Sequence, residues 1–184
     1  MNTVMKKGAC GLLLLLGSHV AFADCQLSVS QHNVDYGNIK NSDVKQSGKK
    51  WNALPDRTLQ LSAWCTEPHK MALFFDGKVG DKGAMTFGQN SAMLMVASGA
   101  LLDGKPVSLN HTTNRDIFSP AGHSDQKHIV RSQQGLIPVQ GSEILSGKQF
   151  SVTLTVKPEI SSTEFAITDK SDLMSHIHIS VETN

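Results

Sequence analysis

Along three stretches of the chain, apolar and polar side chains alternate. Leu27 and Val29 alternate with Gln26, Ser28 and Ser30. Leu59, Leu61 and Ala63 alternate with Thr58, Gln60 and Ser62, and Phe150, Val152, Leu154 and Val156 alternate with Ser151, Thr153 and Thr155. A period of two belongs to an extended chain whose successive side chains point to opposite faces, so each stretch predicts a strand with one buried face. Further strands are predicted over residues 71–75, 92–97, 107–109, 129–131, 136–139, 165–168 and 175–182. Turn signals separate them: Tyr36-Gly37-Asn38, Asp76-Gly77, Gly80-Asp81-Lys82-Gly83, Asp103-Gly104, Ser119-Pro120-Ala121-Gly122, Ser146-Gly147 and Lys157-Pro158. No segment keeps a helical period over three turns. Many short strands at this spacing predict an all-β, antiparallel sandwich. Two polar stretches, 39–55 and 111–127, read as long loops, and neither a repeat nor a linker divides the chain.

The first residues change the picture of where such a domain works. Lys6 and Lys7 precede an apolar run, Leu12 to Leu16, too short to span a bilayer, and Ala21-Phe22-Ala23 has the small-x-small form of a cleavage site. Residues 1–23 are therefore expected to be a signal peptide and residues 24–184 one exported domain, with Asp24 the first mature residue. Losing Lys6 and Lys7 from the seventeen basic residues leaves fifteen against sixteen acidic ones. A nearly neutral chain has no basic surplus with which to hold nucleic acid or anionic lipid. Of the three cysteines, Cys25 and Cys65 remain after cleavage. In an oxidising compartment an isolated pair predicts a disulfide. Cys25 shares its parity with Leu27 and Val29, and Cys65 with Leu59, Leu61 and Ala63, so both thiols point into the core and a bridge there pins the first strand to a later one.

The order Cys25, Val34-Asp35-Tyr36-Gly37-Asn38-Ile39, then Leu54-Pro55-Asp56-Arg57-Thr58-Leu59-Gln60-Leu61 running into Cys65 resembles subunits of chaperone-usher fimbriae, and more narrowly a family of fimbrial-like proteins of Gram-negative bacteria. The apolar Met71-Ala72-Leu73-Phe74-Phe75-Asp76, the entry Asp103-Gly104-Lys105-Pro106-Val107 and the closing strands are similar too. The resemblance implies an immunoglobulin-like, pilin-type sandwich lacking its last strand. It implies a periplasmic fimbrial chaperone, an outer-membrane usher and a neighbouring fimbrial subunit as partners, the last by donor-strand addition, in which backbone hydrogen bonds give affinity and alternate side chains give register. A host glycan or protein receptor, and transit through the periplasm to a fimbrium at the cell surface, belong to the same expectation. Cleavage after Ala23 leaves one residue before Cys25, too little for a donor strand, which points to a tip or terminal position.

Candidate chemistry is sparse. The Gly-x-Ser-x-Gly, P-loop and His-Glu-x-x-His patterns are absent, and a non-catalytic protein without a cofactor is expected. His176 and His178 lie two apart on the outer face of the last strand, a spacing that can share a metal, although solvent-facing strand residues is the simpler reading. Met93 and Met95 share a face with Ala97 and predict core filling rather than soft-metal handling. For ligand binding the candidates are Arg115 and His123 in the second polar loop and Trp51 in the first, where an exposed indole can stack on a sugar or pack under the loop. Trp64 has the parity opposite to Cys65 and points away from the core face of its strand. The alternative to a fimbrial subunit is a self-contained periplasmic or secreted binding module for a glycan or a metal.

Overall fold

The computed structural model describes residues 25–80, 83–166 and 172–184. The expected signal peptide and Asp24 lie outside the described residues. Two antiparallel sheets are packed face to face and share one long strand, β4 (Arg57–Gly77). In the first sheet, the opening half of β4 is flanked by β1 (Cys25–Val29) and β13 (Ser146–Ser161). Beyond β13 comes β6 (Ser91–Leu102), whose far edge takes β5 (Met85–Phe87), β7 (Lys105–Pro106) and β10 (Lys127–Val130). In the second sheet, the closing half of β4 runs between β14 (Ile177–Thr183) and β11 (Gln134–Gln140). β8 (Ser108–Thr112), β9 (Ala121–Asp125) and the short β12 (Glu143–Ile144) complete it.

The period-two pattern has the consequence expected of it. Leu61, Ala63, Leu73, Phe75, Phe150, Val152 and Ala97 are sealed from solvent in one core between the sheets. Each large aliphatic or aromatic side chain so buried contributes roughly 1.5–3 kcal/mol. Met71, Met85, Met93 and Met95 fill the same core. β4 changes sheets between Cys65 and Met71, whose sulfurs lie 3.4 Å apart, and the β4–β13 register slips at that bend between Gly147 and Gln149. The disulfide joins Cys25 to Cys65, which stand opposite each other in the β1–β4 ladder.

Several boundaries differ from the sequence expectation. Lys157-Pro158 and Ser146-Gly147 are not turns, because β13 runs through both. Pro158 costs the ladder only its missing donor, since its carbonyl still accepts the Leu54 N–H at 3.1 Å. Gly147 answers to crowding rather than to a bend: a Cβ there would stand 2.7 Å from the Leu102 side chain. Asp76-Gly77 likewise stays in β4, with Gly77 opposite Ile177. Asp103 and Gly104 do turn, with φ of 49° and 77°, the left-handed pair that a two-residue hairpin between β6 and β7 requires. Phe165 lies in a 3-10 turn, Ser162–Ala166, not in a strand, and residues 167 and 168 are outside the described residues. Neither polar stretch is a plain loop. The first holds a 3-10 turn (Asn41–Asp43), β2 (Lys45–Gln46) and β3 (Trp51–Ala53), which replaces β4 beside β13 beyond Arg57. The second holds all of β9, paired to β8.

Candidate functional site

One lateral side of the sandwich is built from two strand edges. β1 and β14 lie alongside each other, and each has β4 as its ladder neighbour; among the described residues no ladder joins them. Their inward side chains, Cys25, Leu27 and Val29 from β1 and Ile177, Ile179 and Val181 from β14, pack on the core yet are only half-buried. The β4 residues behind them, Leu61, Ala63, Leu73 and Phe75, are fully buried. Apolar residues that point inward and remain half-covered form a groove whose two banks each have, among the described residues, a backbone edge outside any ladder. The seven residues of β14 offer about 23 Å of such edge, the length of one ordinary strand.

The outer face of the second sheet is covered instead. Ala72, Phe74, Ile137 and Val139 make a small second cluster, and Phe118, from the segment after β8, is buried on it. The buried Thr112 hydroxyl accepts the backbone N–H groups of Asn114 and Ser119 and donates to the Asn114 carbonyl. The Asn114 side chain accepts the N–H groups of Asp116 and Ile117. Arg115 then reaches across β14 and β4. It donates to Asp76 Oδ2 at 2.6 Å, to Glu182 Oε1 at 2.9 Å and to Ser180 Oγ at 3.1 Å, with its guanidinium 4.2 Å from the Phe74 ring centre. Arg115, a candidate ligand-binding residue from the sequence, thus has both terminal nitrogens engaged within the chain and clamps this segment to the sheet. Its partners lie 39, 65 and 67 residues away, so no local signal announces the site.

The other candidates are dispersed. His123 is exposed on β9, beside a shallow depression of about 320 Å³ that Asn110, Pro120, Gly122, Ser124, Gly141 and Ser142 line with it. Trp51 is on β3 opposite Ser161, 36% exposed, rather than packed under a loop. His176 and His178 are exposed, His178 standing opposite Asp76, and among the described residues no group of three or more His, Cys, Asp or Glu side chains is placed to hold a metal. A contact the sequence reading did not draw is that of His111 on β8 with His128 on β10, with ring centres 5.0 Å apart across the side opposite the groove. Burial first, and Arg131 with it, pushes His111 below the usual histidine range. Burial lowers His128, helped by His111 and Arg131 and opposed by Asp125. In the segment after β1, Tyr36 meets Phe87 of β5 edge-on, and burial pushes its phenol up to about 12.

The chain is similar to YhcE, an uncharacterised protein of Escherichia coli strain K12, at 27% identity over 181 residues, which covers 97% of this chain and 99% of the relative. No family model matches the chain. No solved structure matches it either.

Proposed function

We propose that the protein is a non-catalytic fimbrial-like subunit that is completed by a strand added between β1 and β14. The observation that carries this reading is the pair of edges left unladdered among the described residues, with six half-buried apolar residues between them. An extended segment with apolar residues at alternate positions would cover Leu27, Val29, Ile177, Ile179 and Val181 while its backbone pairs with the edges, the chemistry of strand addition. In this reading a periplasmic chaperone supplies the strand first and a neighbouring subunit later, with the usher between, and the disulfide fits an exported domain. The sequence resemblance in Val34-Asp35-Tyr36-Gly37 and Leu54-Pro55-Asp56-Arg57 gives the same direction.

The test is recovery of the protein from the periplasm with and without a fimbrial chaperone, with N-terminal sequencing of the product. A one-to-one complex, from which a strand peptide of alternating apolar residues displaces the chaperone, supports the proposal. A soluble monomer that unfolds cooperatively by itself, with the same midpoint whether or not the peptide is added, sinks it and favours a self-contained binding module.

A further inference from the structure

Over β1, β4 and β13 the outer face of the first sheet carries no charged side chain in its register rows, whereas farther across, over β6 and β10, it exposes Leu94, Leu101, Ile129 and Lys127. Reading across the strands in register, Gln26, Trp64 and Gln149 form one row and Ser28, Ser62 and Ser151 the next. Gln60 with Thr153 and Thr58 with Thr155 continue the face along β4 and β13. From Trp64 to Thr58 this platform runs about 20 Å, and three strands make it about 10 Å wide. The charged side chains at its margins are tied into ion pairs: Lys148 with Glu67 at one end, and Lys157 with Asp56 at the other. Trp64 is 51% exposed, a large indole on a flat polar sheet with glutamine on either side.

We infer that this face is a binding platform for a neutral oligosaccharide, with the Trp64 indole as the stacking surface and the side chains of Gln26, Gln149, Ser62 and Ser151 as its hydrogen-bonding groups. A pyranose ring presents one face of C–H groups and a rim of hydroxyls. It therefore matches an exposed aromatic plane flanked by groups that both donate and accept, and needs no ionic partner. The amides are already ordered. Gln149 Nε2 donates to Ser62 Oγ at 3.3 Å and Gln60 Nε2 to Thr153 Oγ1 at 2.8 Å, so their carbonyl oxygens have a fixed direction and less side-chain freedom is lost on binding. A protein partner fits the rows around Trp64 less well, the exposed apolar side chains Leu94, Leu101 and Ile129 lying apart from it on β6 and β10. The core of a protein interface sets its tryptophan among apolar and arginine side chains, whereas the register neighbours of Trp64 are two glutamines. The face is separate from the β1–β14 groove, so the inference stands or falls independently of strand addition.

The experiment uses the exported protein, carrying its chaperone if it needs one, with Trp51→Phe as background so that Trp64 is the sole indole of the mature chain. Cellohexaose and N-acetylchitohexaose are titrated while the indole emission is followed, with a heparin hexasaccharide as the anionic comparison; binding to immobilised neutral glycan is measured in parallel. The expected result is saturable binding of at least one neutral probe, with a blue shift and no response to heparin. Trp64→Ala should weaken retention on the immobilised glycan about tenfold or more, and Gln149→Ala by less. Binding by neither neutral probe, equal or better binding of heparin, or retention that Trp64→Ala leaves unchanged would overturn the inference. So would a concentration-dependent dimer that Trp64→Ala abolishes, since the face would then belong to a second copy.

Discussion

The two outer faces of this sandwich are opposites. The second sheet hides apolar residues, Phe74 and Ile137 among them, beneath a segment folded over it and fastened by Arg115. Among the described residues nothing is folded over the β1–β4–β13 face of the first sheet, which shows water a field of hydroxyl and amide groups with one indole. A sheet face can be finished in either way: by apolar residues with a lid, or by polar residues without one. The lid serves stability, and the bare face is free to serve recognition.

The largest expected effect tests what both arrangements presuppose. Cys65→Ser should destabilise the protein by about 2–5 kcal/mol, measured by denaturant unfolding, because the bond that fixes β1, and with it Gln26 beside Trp64, is lost. An unchanged midpoint would mean that the ladder alone holds β1. Phe118→Ala removes the side chain that closes the second cluster and should cost about 2–4 kcal/mol, with the residues after β8 becoming sensitive to protease. A loss below about 0.5 kcal/mol, in the range of ordinary surface substitutions, would make the lid decorative and erase the contrast between the faces.

Acidification sharpens the comparison where the sheets meet on the side away from the groove. His111 and His128 titrate lower in the fold than in the unfolded chain, so unfolding takes up protons; stability is full above about pH 6.5 and falls as the pH drops below it. Thermal midpoints at pH 7.5 and 5.5 should therefore separate, and His128→Gln should narrow the separation. A separation that His128→Gln leaves intact would assign the pH dependence to other groups. The smallest effect is expected at the bare face: Trp64→Ala should move stability by no more than about 0.5 kcal/mol, and a larger loss would make that indole a packing residue.

The strands with one strictly buried face were legible because their alternation is local. Leu59 to Ala63 and Phe150 to Val156 carry their period wherever the partner lies. The ends of those strands were not legible. Pro158 and Gly147 carry local turn signals, yet the Pro158 carbonyl accepts the remote Leu54 N–H and Gly147 pairs opposite His69 of β4, with Leu102 packed where a Cβ would stand. The short strands β3, β5 and β9 are too brief to show a period and exist because β13, β6 and β8 offer them an edge. At the candidate site, the parity of Leu27, Val29, Ile177, Ile179 and Val181 was readable, whereas the openness of the edges between them depends on how the two sheets assemble. The role of Arg115 was hidden for the same reason, since its carboxylate partners come from two other strands.

One strand belongs to both sheets, and this governs how the molecule carries load. A pull on β1 or on β14 passes first into β4, which they share and which continues from one sheet into the other without a break in the chain. On the β1 side a covalent bond doubles the ladder, whereas on the β14 side the backbone bonds and the Arg115 clamp act alone. Tension along that side shears all seven β14 pairs together instead of opening them in turn, and the closing half of β4, backed by β11 at Leu73, Phe74 and Phe75, is the beam against which they give way.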